Sequence, residues 1–253
     1  MLDEVFYERV VLGIFLSAPA ALIYTLIWTP PYGRHAEGAD VRMMNSRAAW
    51  VLMELPAAAF FLAVFLLGSR RADPTSIVLL LVWLLHYVDR AFIYPFRAPP
   101  SRHGTAVRVA AAGFAYQCAN AYVNAGRLSQ FGEPYGVSWL HSPQMLVGLA
   151  AFAAGYAMNR KSDATLRALR APGESGYKVP RGGLFELVSC PNYLGEMVMW
   201  CGWATATWSL AGLSFACFTI ANLAPRAIAH HRFYQAKFPD YPRGRRAVIP
   251  YVL

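Results

Sequence analysis

The chain has 253 residues, of which 57% are hydrophobic and only 15% charged. A soluble domain carries about 25% charged residues, so the composition excludes an ordinary water-soluble enzyme and points to a surface that faces lipid. The net charge of +9 would suit nucleic acid, but its distribution along the chain argues for a membrane topology instead.

A helix needs roughly 20 mostly apolar residues to cross the hydrocarbon core. Seven segments approach that requirement: 10–28, 48–67, 76–96, 107–122, 142–158, 193–210 and 213–229. The second, fourth and sixth are the least apolar, and the fourth carries Gln117 and Asn120, so six spans is the fallback count. The expected fold is all-α and polytopic, one integral-membrane domain over 1–253 with no room for a separate soluble unit. The N-terminal MLDEVFYERV is acidic where a secretory signal is basic, and segment 10–28 reads as a retained helix. Cys118, Cys190, Cys201 and Cys217 form no CxxC pair and read as packing residues, with no metal site. If the N-terminus lies outside, the cytoplasmic loops and tail hold seventeen Lys and Arg residues against four on the other face. The positive-inside rule therefore predicts an external N-terminus and a cytoplasmic C-terminus.

Ionisable residues inside a bilayer are costly and mark sites. Glu54 lies about two turns into the second segment, with Pro56 expected to bend the helix beside it. His86, Tyr87, Asp89, Arg90 and Tyr94 end the third segment. Asn192 and Glu196 open the sixth, and Asn222, Arg226, His230 and His231 close the seventh. Segments one and five are nearly free of such groups. The topology brings the four polar clusters to similar depth on the cytoplasmic side, which implies a cavity open to the cytosol. The bland reading of Glu54 is a charge pair with Arg90 or Arg226; that of the two histidines is a helix cap. The longest cytoplasmic loop, 159–196, is basic and glycine-containing, and Asp163, Arg167 and Arg170 share a helical face. Such a loop suits an anionic ligand with phosphates, or is an ordinary solvated basic surface. No GxGxxG or GxxxxGK[ST] occurs, so any nucleotide must be held by helices and loops rather than a Rossmann or P-loop site.

The ordered set YGRH, RAAWVLMELP, LHYVDRAFIY, NRKSDATLRALRAPGE, PRGGLF, NYLGE, HHRFY and RRAVIPY resembles the steroid 5α-reductase (3-oxo-5α-steroid 4-dehydrogenase) family over nearly the whole chain. After Tyr94 the sequence PFRAPPSR departs from the family's basic run and leaves Arg97 and Arg102 without a carried-over role. The resemblance implies a seven-helix enzyme that uses NADPH to reduce a Δ4 double bond conjugated to a 3-ketone. It places Glu54 and Tyr87 on the ketone oxygen as the catalytic pair. It puts Trp50 near the nicotinamide, Asn192, Glu196, Arg226, His230 and Tyr234 around the nicotinamide, ribose and pyrophosphate, and Asn159, Asp163, Arg170 and Tyr177 at the adenosine end. Residues 1–130 would form mainly the substrate cavity and 142–253 mainly the cofactor site. A flat lipophilic steroid-like substrate would enter from the bilayer, and the protein would work as a monomer among membrane lipid, without nucleic acid. The excess of Arg over Lys suggests a GC-rich bacterium, hence an inner-membrane location (endoplasmic reticulum if eukaryotic). Two other classes compete: an isoprenylcysteine-type membrane methyltransferase using S-adenosylmethionine, which has no need of a Glu54–Tyr87 pair, and a small transporter, which calls for polar residues through the full membrane depth or internal repeats.

Overall fold

The structure, a computed structural model, describes residues 3–28, 41–97, 104–169 and 176–253. YGRH and Arg170 lie outside the described residues.

Helix starts follow local capping chemistry. Asp3 accepts from the Val5 amide at 2.8 Å and opens α1, Glu4–Ile27. Asn45 caps α2, Ser46–Leu67, and Asp73, followed by a proline, caps α3, Pro74–Arg97. The helix α4 is Val107–Ser129 and α5, capped by Ser142, is Pro143–Ala168. Pro191–Thr207 forms α6, and Ser209 caps α7, Leu210–Lys237. A two-stranded antiparallel ribbon, β1 (Met43–Met44) with β2 (Thr105–Ala106), ties the starts of α2 and α4 together. Four of these helices, α1, α2, α3 and α7, are long and apolar enough to cross a membrane.

Several boundaries differ from the sequence-based expectation. The fourth helix runs on past residue 122 to Ser129, because its polar residues are met by partners inside the bundle instead of ending the helix. The expected loop 159–196 is shorter, since α5 continues to Ala168 and α6 starts at Pro191. Asn159 and Asp163 thus stand on a helix, and α5 is not free of buried polar groups. Between α6 and α7 only two residues intervene, with Trp208 in the left-handed region at φ 43°. Cys201 is exposed, so packing does not account for it.

The bend expected at Pro56 takes the form of a π turn, Pro56–Phe60. Proline has no N–H for the carbonyl four residues back, so the ladder is forced out of its regular register. A second π turn, Asp89–Ile93, interrupts α3. Glu54 and Tyr87 each lie two residues ahead of one of these turns. The Ala57 carbonyl inside the first accepts the Trp83 indole N–H at 2.7 Å. Trp83 is the centre of the main core: it stacks on Phe61 at 4.4 Å and meets Trp200, Trp203 and Phe215 at 5.0–5.6 Å. Aromatic pairs of this kind add about 0.5–1.5 kcal/mol each beyond area burial.

The α5–α6 pair brings two backbones into direct contact. A Cβ added at Gly155 would meet the backbone of Gly195 and Met199, and one at Gly195 would meet Gly155 and Asn159. Without water to drive apolar association, small residues that let backbones touch are how helices in a bilayer gain packing energy. This approach sets the depth at which Asn159 and Asp163 face Asn192.

Contacts at the helix ends define two opposite ends of the bundle. At one, Arg70 N–H bonds the Ser129 carbonyl, Thr75 bonds Gly136, Tyr135 bonds Thr207, and Tyr7 of α1 stacks on Phe131. At the other lie the ribbon, the α5–α6 polar contacts and the chain's C-terminal segment. There Arg246 and Ala247 carbonyls accept from Ser189 and Cys190 amides at 2.8 and 3.0 Å, pinning the tail under the start of α6.

Candidate active site

A cavity of about 610 Å³ opens among all seven helices, within the roughly 300–1,000 Å³ range of small-molecule sites. Its wall is built from single helical stripes. On α7 the lining residues include Phe215, Phe218, Asn222 and Arg226, spaced three and four apart, which grade from aromatic to amide to guanidinium toward the polar end. On α2 they are Trp50, Met53 and Glu54; on α3, Tyr87, Arg90 and Tyr94. From α5 come Asn159 and Asp163, and from α6 Asn192 and Glu196. One end of the cavity is therefore apolar, the other dense in amides and charges.

At the boundary between the two stands Glu54. Its side chain does not pair with Arg90 or Arg226 among the described residues. Instead Gln117 of α4 donates from Nε2 to Glu54 Oε2 and to Tyr87 Oη, both at 3.3 Å. The Tyr87 ring is almost fully buried and stacks on Trp200 at 5.5 Å. The sequence assigns Gln117 no place beside Glu54 and Tyr87. The signal was present, since a polar amide in a weakly apolar span has to find a partner, but nothing in the sequence said which.

The polar end is cross-linked. Arg90 donates to Asp163 Oδ2 at 3.2 Å, with both side chains under 10% exposed. Asn192 Nδ2 donates to Asp163 Oδ1 at 3.4 Å, and Asn159 Nδ2 donates to the Asn192 carbonyl at 3.0 Å. Beside this pair, Arg160 forms an ion pair with Asp89. The Arg90 guanidinium also lies over the Trp50 and Tyr94 rings, at 4.7 and 4.3 Å, and its carbonyl accepts the Trp50 indole N–H at 3.1 Å. Trp50, Asp163 and Arg90 thus form one rigid floor.

The remaining residues named from the sequence stand off the cavity wall. His230 meets the hydroxyl of Tyr193, itself a lining residue, at 3.1 Å. His231 contacts Ser189 at 2.6 Å and Gln235 at 2.9 Å. Tyr234 is buried in near-parallel stacking with Tyr241 at 5.4 Å. Tyr177 is half-buried against Phe233 at 5.2 Å. In the segment between α5 and α6, Glu186 accepts from the Gly182 amide at 2.7 Å and from Arg245 at 3.3 Å. Those contacts, the Gly182 N–H first and Arg245 after it, hold the Glu186 carboxyl below the usual carboxylate range.

The sequence pattern of 3-oxo-5-alpha-steroid 4-dehydrogenases matches residues 103–253. The chain is 36% identical to steroid 5-alpha-reductase DET2 of Arabidopsis thaliana, covering 99% of this chain and 98% of that one. It is 42% identical to 3-oxo-5-alpha-steroid 4-dehydrogenase 1 of Rattus norvegicus over 88% of this chain and 86% of the relative, and 38% identical to the Bos taurus protein of that name over its whole length and 97% of the other. With likeness at this level from end to end, the chain belongs to the 3-oxo-5-alpha-steroid 4-dehydrogenase family of oxidoreductases.

Proposed function

We propose that the protein reduces the Δ4 double bond of 3-oxo-Δ4 steroids with NADPH, giving 5α-reduced 3-oxo steroids. The observation that carries this reading is the placement of Glu54 and Tyr87 together at the junction of the apolar and polar halves of one cavity. A flat apolar ring system would lie against the stacked Tyr116–Phe218 pair and the small residues of α4, with its ketone oxygen at the Tyr87 hydroxyl.

The donor set of the polar half fits the nicotinamide end of the cofactor. Asn192 and Asn222 offer amides suited to a carboxamide, Glu196 offers an acceptor for ribose hydroxyls, and Arg226 offers the planar fork that matches phosphate. The adenosine end would leave the cavity past Tyr193 toward His230, Tyr234 and Tyr177, with Arg170 of the basic segment as a further phosphate partner. When bound, NADPH supplies the hydride that C5 of the steroid receives. Tyr87 and a protonated Glu54 carboxyl would hydrogen-bond the ketone oxygen, where negative charge builds as C5 is reduced, and the enolate would then take a proton from solvent at C4 to give the saturated ketone. The Arg90–Asp163 floor keeps Trp50 and the α3 π turn fixed beneath these groups. Helices α1 to α4 admit the substrate from lipid and keep water from the developing charge.

In this reading seven helices span the membrane with the N-terminus outside, so that the polar half of the cavity faces the cytosolic pool of NADPH. Residues 1–130 then serve mainly the steroid and 142–253 mainly the cofactor, in a bacterial inner membrane and as a monomer. An S-adenosylmethionine-dependent methyltransferase would leave the Glu54–Tyr87 pair without a task, and the cavity's apolar end does not suit a transport path. The direct test is turnover: purified protein given NADPH and a Δ4-3-oxo steroid should bleach the enone absorption and place the cofactor's transferred deuterium at C5. A protein that binds the steroid and transfers no deuterium from labelled NADPH refutes the proposal.

A further inference from the structure

We infer that Gln117, Asn120, Asn124 and Trp203 form a polarised hydrogen-bond relay that aims the Tyr87 hydroxyl at the substrate, making Gln117 and Trp203 positioning residues for the reaction. The inference rests on the function proposed above and goes beyond it.

The four side chains make one unbroken line. Trp203 Nε1 donates to Asn124 Oδ1 at 2.8 Å. Asn124 Nδ2 donates to Asn120 Oδ1 at 2.9 Å. Asn120 Nδ2 donates to Gln117 Oε1 at 3.0 Å. Gln117 Nε2 then donates to Glu54 Oε2 and Tyr87 Oη. Asn120, Asn124 and Trp203 are at most 2% exposed, and residues 117, 120 and 124 share one face of α4.

The direction of the line follows from its far end. An indole N–H is a donor only, whereas a primary amide donates at one end and accepts at the other. Turning Asn124 around would set its NH₂ against the Trp203 N–H, two donors in a dry interior, and would strip Asn120 of its own donor. An unmet buried polar group costs on the order of 1–3 kcal/mol, so each amide locks the next. Trp203 thereby dictates that Gln117 presents its NH₂, not its carbonyl, to Tyr87. The Tyr87 oxygen is then occupied as an acceptor. Among the described residues its hydroxyl makes no other hydrogen bond, so its hydrogen is left for an acceptor in the cavity. A ketone oxygen is such an acceptor. Were Gln117 reversed, its carbonyl would capture the Tyr87 hydrogen and take the donor away from the substrate.

The experiment compares Gln117→Leu and Trp203→Phe with the parent, each also placed in a Tyr87→Phe background. Two quantities are read: kcat for a Δ4-3-oxo steroid at saturating NADPH, and the red shift of the bound steroid's enone band, which reports hydrogen bonding to its ketone oxygen. Gln117→Leu should lower kcat about tenfold, the scale of one hydrogen bond's contribution to the barrier, and should shrink the red shift. Trp203→Phe removes the donor together with one ring of the indole and should move both quantities in the same direction. In the Tyr87→Phe background each change should lower kcat by a much smaller factor than in the parent, because no hydroxyl remains to be aimed and only the Gln117 contact to Glu54 is still lost. Equal proportional losses in both backgrounds mark a packing role and overturn the relay. So does a Gln117→Leu variant with the parent kcat and red shift. A parent protein that itself fails to reduce the steroid overturns the reading of the site, and the relay with it.

Discussion

Arg90 on α3 and Asp163 on α5 meet at 3.2 Å in a buried ion pair. The pair joins the half of the bundle that carries Tyr87 to the half that carries Asn192. Removing one member of such a pair strands a charge in a dry interior, which typically costs about 3–5 kcal/mol. Asp163→Ala should therefore lower the detergent-solubilised protein's melting temperature sharply. Asp163→Ala combined with Arg90→Met should recover part of that loss, since no charge is left unpaired. A single variant that melts like the parent shows that water or another group already compensates Arg90.

Tyr87→Phe keeps the ring and its stacking on Trp200 while deleting the hydroxyl, so folding should survive. Losing one oxyanion donor costs roughly 10²–10³-fold in rate, and the loss should fall on kcat. Glu54→Gln should also be impaired. The double variant should be little worse than the weaker single one, because groups acting as a unit are non-additive. Steady-state kinetics on the three variants settle the matter, and parent-like turnover by Tyr87→Phe returns the tyrosine to a packing role.

Membrane orientation is open to chemical labelling. In a background freed of native cysteines, one introduced near Gly132 should react with an impermeant maleimide from outside the cell. One introduced near Gly176 should react only after permeabilisation. The reverse pattern would place the polar end of the cavity on the wrong side for cytosolic NADPH.

The contact of α5 with α6 should be intolerant of size. Gly195→Val forces a branched side chain into the backbone of Gly155 and Asn159. Overpacking costs typically about 1–3 kcal/mol, and separation of the two helices should also pull Asn159 from the Asn192 carbonyl. Both a lower melting temperature and a raised KM for NADPH are expected; a raised melting temperature contradicts the close approach.

Glu186 links the α5–α6 segment to the C-terminal tail through Gly182 and Arg245. Its carboxyl titrates below the ordinary 4.5 in the folded state. The stabilisation it provides is thus complete above that ordinary value and lost as pH falls through the lower folded one. Thermal melts of the parent should show an acid-side decline that is shallower in Glu186→Gln. Identical acid limbs would mean that the tail is held without the Glu186 carboxylate, by contacts such as the Ser189 and Cys190 backbone bonds and Arg245 to the Pro180 carbonyl.

Much of this protein could be read from its residues in order. Hydropathy and capping residues such as Asp3, Asn45, Asp73 and Ser142 fix where helices begin, because both signals are local. The cost of a polar or ionisable group in lipid points to Glu54, Tyr87, Arg90, Asn192, Glu196 and Arg226, which line one cavity, and equally to His86, Asp89, His230 and His231, which do not. What sequence could not decide is who partners whom. Gln117 lies 63 residues from Glu54 and 30 from Tyr87, and Asp163 lies 73 from Arg90. Whether such groups meet depends on helix rotation and depth, which are set by the glycine contact of α5 with α6, the Trp83 core and the two π turns. Capping and hydropathy act within a turn or two of chain; pairing of buried polar groups is enforced only when the packed bundle removes water and each must be answered by whichever side chain the packing brings within reach.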